Sequence, residues 1–216
     1  MQELIAFNEQ RAAIYWWMST LFSRELTVEN IRHYLDEDMQ SFLLALTQTP
    51  SLEHPTTTFL EALHRLNNRP DAQLELAADF CDLFLTTPKT GALPYASLYL
   101  DENGLMNARP AVEMEKWLET YQIAQRKSFN EPADHLAVEL DLMGNLIILT
   151  NQQASDTESE QAMQAQDTFL TTMLLSWLPE FVSQLNKRDT FGFYAAAASL
   201  LLAFCQLDAQ FLKGDA

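Results

Sequence analysis

The chain has 216 residues, 48% of them hydrophobic and 20% charged, enough for one large domain or two small ones with a sizeable core. Its formal charge of −17 excludes the cationic surface that a nucleic acid or an anionic membrane requires, and favours basic partners. Five glycines are too few for a turn-rich strand fold or for glycine-rich phosphate loops, and the two cysteines, Cys81 and Cys205, read as buried free thiols.

The N-terminus, "MQELIAFNEQRAAIYWW", carries early acids and no small-residue cleavage site, so it does not read as a signal peptide. Ile14, Trp17, Met18 and Leu21 share one helix face. Thr27 reads as the N-cap of a short helix to about Leu35, with Leu26 and Ile31 as a hydrophobic staple across it. Met39, Phe42, Leu43 and Leu46 mark a helix ending near Pro50. Pro55 suits the first turn of the next, whose buried stripe is Phe59, Leu60, Leu63 and Leu66. Pro70 opens another, with Leu74, Ala77, Ala78, Cys81, Phe84 and Leu85 inward. A long break follows over 86–110; loops of that length are functional or disordered, and Tyr95, Leu98 and Tyr99 argue against disorder.

Pro110 restarts a helix with Val112, Met114, Trp117, Leu118 and Tyr121 on its apolar side, and "RKSFNEP" ends it. Asn130 then suits an N-cap and Pro132 a first turn, before a helix that buries Leu136, Leu140, Met143 and Ile147. "NQQASDTESEQ" reads as an acidic loop. A helix through Phe169, Met173, Leu174 and Trp177 follows, Pro179 starts a short one, and Asp189 or Thr190 caps a long apolar one ending near Leu212. The stretch "FGFYAAAASLLLAFCQL" approaches bilayer-spanning length, but its alanines and flanking acids predict a buried helix. The expected fold is therefore an all-α bundle of about nine to ten helices in two subdomains. They are an N-terminal one over 1–126 and a C-terminal one over 133–216, joined by a short hinge at 127–132. The smaller piece is marginal as an independent core, so it docks on the larger one in the same chain or in a partner; such a hinge also permits domain swapping in a homo-oligomer.

The candidate chemistry is sparse. Glu61 and His64 form a lone Glu-x-x-His, where a di-metal bundle needs two such pairs and further glutamates. His33 and His54 read as surface histidines. Glu75, Asp79 and Asp82 are like charges at helical spacing, read as a solvated face that a cationic ligand would relieve. His135 and Glu139 stand at i, i+4 beside Asp134, with Glu131 one turn earlier; the structural reading is first-turn acids at a helix N-terminus and a His135–Glu139 hydrogen bond. No nucleophile elbow, reactive cysteine or phosphate loop accompanies them, so catalysis is disfavoured. Clustered carboxylates beside a Pro/Tyr loop fit an arginine-bearing peptide held by bidentate pairs better. The alternative is a metal-dependent helical-bundle enzyme using Glu61/His64 or His135/Glu139.

Glu131-Pro132-x-Asp134-His135 resembles the Glu-Pro-x-Asp-His signature of the TorD/DmsD family of twin-arginine redox-enzyme maturation chaperones. "DAQLELAADFCDLFLT", "ALPYASLYLDE", "WLPEFV" and "DTFGFYAA" resemble the same family, so the likeness covers most of the chain. It implies an all-helical cytoplasmic chaperone, not an enzyme. Such a protein binds the twin-arginine signal peptide and the apo form of a molybdenum-cofactor reductase, here trimethylamine-N-oxide reductase, and assists cofactor insertion before export. It further implies that Glu131, Pro132, Asp134 and His135 lie at a peptide-binding hinge, with Pro94 and Tyr95 on the loop and Leu83 and Phe84 on the preceding helix. No cofactor or metal is implied. Weak GTP binding comes from the resemblance alone, since no segment resembles a nucleotide motif.

Overall fold

The computed structural model describes residues 2–125 and 129–214. Over these residues the chain is all-α, with eleven α-helices, one π-helical turn and a single isolated β-bridge. In chain order the helices are α1 (Gln2–Ser23), α2 (Val28–Tyr34), α3 (Glu37–Leu46), α4 (Pro50–Asn67), α5 (Ala72–Phe84) and α6 (Ser97–Leu100). There follow α7 (Arg109–Thr120), α8 (Leu136–Thr150), α9 (Asp156–Phe169), the π-turn (Leu170–Leu174), α10 (Leu178–Arg188) and α11 (Phe193–Lys213).

The chain divides into two compact units: Met1–Ser23, Pro94–Leu178 and Asp208–Ala216 form the first, Arg24–Leu93 and Pro179–Leu207 the second. The division expected at 127–132 thus falls inside the first unit. The reason is local: residues 131–136 pair with the segment starting at Pro94, as detailed below, which holds both sides of the expected boundary together. Residues 126–128, including the start of the expected hinge, lie outside the described residues.

In the first unit α1 packs on α8. Gly144 makes this approach possible, because a Cβ there would lie 2.5 Å from the Trp16 Nε1 atom. The Trp16 indole N–H donates to the Asp141 carbonyl at 3.3 Å and the Ser19 hydroxyl to the Ala137 carbonyl at 2.7 Å. A buried polar cluster lies further along α1. Arg11 clasps Asp208 with two bonds of 2.6 and 3.0 Å, and also donates to Asn8 and Gln166. Helix α9 includes much of the stretch expected as an acidic loop. Ser155 accepts from the Glu158 N–H, and the Glu158 carboxylate accepts from the Ser155 hydroxyl and the Ala154 N–H, a reciprocal cap that starts the helix in its polar first turns.

In the second unit Thr27 caps α2 through a capping box with Asn30, and both staple residues, Leu26 and Ile31, are buried. Helix α4 starts at Pro50, one turn earlier than expected, and runs through Pro55; proline costs only one bond there because the donors before it in the first turn have no intrahelical partner anyway. The phase of α5 differs from the expected one. Leu76, Phe80, Leu83 and Phe84 face inward, while Leu74 and Leu85 are 68% and 63% exposed. The inward set is held by rings: Phe80 and Phe84 both meet Tyr194 edge-on, and Phe84 also stacks on Phe181. Helical spacing alone allows either phase, and these distant aromatics select one. Cys81 is half-buried and Cys205 buried, and neither forms a disulfide. Asp189 caps the start of α11 through the N–H groups of Gly192 and Ala195. Helix α11 is long and apolar enough to cross a membrane by composition, and 56% of its apolar window is buried inside the protein, as expected of a core helix.

Candidate functional site

The 86–110 break is ordered around one short contact with the residues before α8. Tyr95 and His135 form the isolated antiparallel bridge. The Ala96 N–H donates to the Asp134 carbonyl at 3.1 Å, and the Leu136 N–H donates to the Pro94 carbonyl at 2.8 Å. A side chain closes the same seam, with Asp134 Oδ2 accepting the Ser97 N–H at 2.8 Å. Residues 131–135 are therefore not helical. Helix α8 starts at Leu136, five residues after the expected start, because the backbone groups that would open a helix are committed to the 94–97 segment.

His135 is the N-cap of α8. Its Nδ1 accepts the Ala137 N–H at 3.0 Å, so the ring proton resides on Nε2. Tyr95 and Phe129 each meet the imidazole edge-on, at 4.9 and 5.0 Å. Burial pulls its pKa down to about 3, and the ring is neutral at physiological pH. The expected bond between His135 and Glu139 is absent, since Glu139 Oε2 takes the Trp177 indole N–H at 3.0 Å instead. Glu139 is fully buried. Desolvation, and to a lesser degree the charge on Asp134, raises its pKa well above the usual carboxylate range, partly offset by the Trp177 bond. Asp134 Oδ1 and Glu139 Oε1 are both buried without a hydrogen-bond partner among the described residues.

This makes Glu139 testable on its own. In the unfolded chain it ionises above about 4.5, whereas in the folded protein it keeps its proton. Folding stability therefore declines by up to about 1.4 kcal/mol per pH unit as pH rises from there toward the folded pKa. Glu139→Gln keeps an acceptor for Trp177 and never ionises. Urea denaturation is expected to show the variant gaining stability over the parent between pH 5 and pH 8, and a constant difference would place the charge elsewhere.

Of the polar residues expected at the site, Asp134 and His135 are buried, and Glu131 keeps part of its surface open. The Tyr95 hydroxyl donates to Glu131 Oε2 at 2.7 Å, and desolvation raises the Tyr95 pKa, so it remains a donor. A carboxylate with one such bond still has sites for a bidentate guanidinium. Pro132 is half-buried and Pro94 buried. Leu83 and Phe84 belong to the second unit, on the inward face of α5. The structure thus brings Pro94, Tyr95, Glu131, Pro132, Asp134 and His135 together in one unit. Ser97 and Trp177, which tie down Asp134 and Glu139, carry no spacing signal that singles them out.

The remaining candidates lie apart. Glu61 and His64 are exposed on α4, and among the described residues no three His, Cys, Asp or Glu side chains gather as a metal would need. His33 bonds Asp36 on the surface. Two of the like charges of α5 have an internal cation: Arg69 pairs with Glu75 and Asp79 at 2.5 and 2.6 Å, so no external ligand is required to relieve that pair.

The model of the nitrate reductase delta subunit family matches residues 48–183. Chaperone protein TorD of Photobacterium profundum is 59% identical over 215 residues, covering all of both chains, and that of Aliivibrio fischeri is 54% identical over the same span. Chaperone protein TorD of Vibrio cholerae is 47% identical over 208 residues, 96% of this chain and 94% of its own.

Proposed function

Since this chain belongs to the nitrate reductase delta subunit family, and within it to the TorD chaperones, we propose that it is the cytoplasmic chaperone of a molybdenum-cofactor reductase, trimethylamine-N-oxide reductase. As a chaperone it is a binding protein and not an enzyme. It holds the reductase's twin-arginine leader and apo form until the cofactor is inserted. The observation that carries this reading is identity above one half over the whole length to chaperones of one name.

The seam at 94–97 and 131–136 supports a leader site. A paired-guanidinium leader needs carboxylates on an otherwise acidic surface, with no catalytic apparatus. Glu131 supplies the open carboxylate, oriented by Tyr95. Asp134, His135, Pro94 and Pro132 shape and hold the segment that presents it. Leader peptides are disordered when free, so ordering cost keeps affinity moderate.

Calorimetric titration with the native leader is expected to give a 1:1 complex, and a leader with lysines in place of both arginines is expected to bind at least tenfold more weakly. Glu131→Lys should lose about as much with helicity unchanged. No binding of the native leader overturns the leader reading, and full affinity in Glu131→Lys moves the arginine contact off this residue.

A further inference from the structure

Helix α7 and the π-turn flank an open surface groove of about 410 Å³ in the first unit, within the size range of ligand sites. Trp117 and Tyr121 of α7 line it as parallel rings 5.9 Å apart, and Trp117 is braced edge-on by Phe169 at 5.1 Å. The opposite wall is Thr172 and Met173 of the π-turn. π-Turns are rare and recur at functional sites, because the extra residue displaces side chains from the regular helical stripe. Gln122, directly after the groove, holds a φ of +55°, a conformation that non-glycine residues seldom adopt.

The polar groups of this lining are largely spent on their own helices. The Thr120 hydroxyl donates to the Lys116 carbonyl, the Thr172 hydroxyl to the Thr168 carbonyl, and Glu113 takes the Arg109 guanidinium. A polar small molecule requires several convergent donors or acceptors, and this groove does not supply them. It offers fixed aromatic faces and an adaptable methionine, which suit apolar side chains. Val112, exposed one turn before Lys116 on the same side of α7, extends that apolar surface. Lys116 lines the groove, but Glu113, Glu115 and Glu119 outnumber the cations Arg109 and Lys116 on α7, and this acidic balance favours a segment flanked by cations over one flanked by acids.

Only a short length of chain separates the groove from Glu131. Gln125 follows Tyr121 by four residues, at most about 14 Å of chain. Its side-chain amide donates to the carbonyls of Phe129 and Glu131 at 3.0 and 2.9 Å. A few extended residues of a bound peptide would span from one to the other.

We infer that the groove between α7 and the π-turn seats an apolar stretch next to the leader's arginines, as a second subsite beside the arginine contact at Glu131. This inference rests on the leader reading above. Its test uses the full chain, the native leader and a leader whose apolar stretch is replaced by serine and glutamine with both arginines kept. Thr172→Glu, at an exposed position, puts a charge into the groove without touching the core. The parent protein is expected to bind the native leader at least tenfold more tightly than the polar one. Thr172→Glu is expected to bind both with the same low affinity, at unchanged circular dichroism. If Thr172→Glu still prefers the native leader as the parent does, the groove is not the subsite and the leader reading stands. If the parent does not bind the native leader, the leader reading falls and the subsite falls with it.

Discussion

Replacing Arg11 by methionine is expected to destabilise the protein by about 3–5 kcal/mol, measured by urea denaturation at pH 7. Both partners of the Arg11–Asp208 pair are 3% exposed at the side chain. Asp208 takes two bonds from the guanidinium and a third from the Tyr15 hydroxyl at 2.8 Å. Gln166 accepts from Arg11 and donates to the Thr150 hydroxyl, so the cluster joins α1, α8, α9 and the end of α11 within the first unit. The guanidinium also lies over the Phe211 ring at 4.8 Å. Removing the cation leaves Asp208 buried with one hydroxyl donor, and that uncompensated charge dominates the loss. Arg11→Met combined with Asp208→Leu removes both charges and should recover a large part of it, because an apolar pair of similar volume has no desolvation to offset. A double variant no more stable than Arg11→Met would show that the polar cluster acts as a unit with Tyr15 and Gln166.

Acid is expected to unfold the protein largely through His135. The folded protein keeps this ring neutral down to about pH 3, while in the unfolded chain it binds a proton near 6.5. Its contribution is therefore complete above pH 6.5 and is lost as pH falls toward 3, a total of about 3–5 kcal/mol. Between about 4.5 and 6.5 the Glu139 slope opposes it, so the two are separated by single variants. His135→Asn keeps a side-chain acceptor for the Ala137 N–H but cannot titrate. It should be less stable at pH 8, having lost the ring contacts to Tyr95 and Phe129. Its stability should then fall less steeply below pH 6.5, by up to one proton or about 1.4 kcal/mol per pH unit. Parallel acid limbs in the two proteins would rule His135 out as the group responsible.

Much of the helical fold was legible from local patterns. Thr27, with its staple, marked α2, because a cap is satisfied within four residues of itself. The apolar stripe of α8 from Leu136 to Ile147 is buried as its spacing predicted. The stripe of α5 was misphased, because leucines and alanines occur all around that helix and only Tyr194 and Phe181, more than ninety positions away, decide which side is covered. The α9 stretch read as a loop because its residues are polar, yet Ser155 and Glu158 satisfy its first free donors.

The sequence by itself determined the all-helical class, the family, the acidic charge and most residues of the seam, since these follow from composition, local spacing and motif; it did not single out Ser97, and it grouped with the seam Leu83 and Phe84, which belong to the second unit. The tertiary structure decided what each seam residue does. Asp134 and His135 look like a ligand-facing acid and base in the motif, but are turned inward to hold Ser97 and cap α8, while Glu131 stays open beneath Tyr95. The physical reason is burial. Whether a carboxylate or imidazole faces water or a backbone N–H depends on which distant segment pairs with it, and the 94–97 segment meets residues 131–136 only after the chain has folded back on itself.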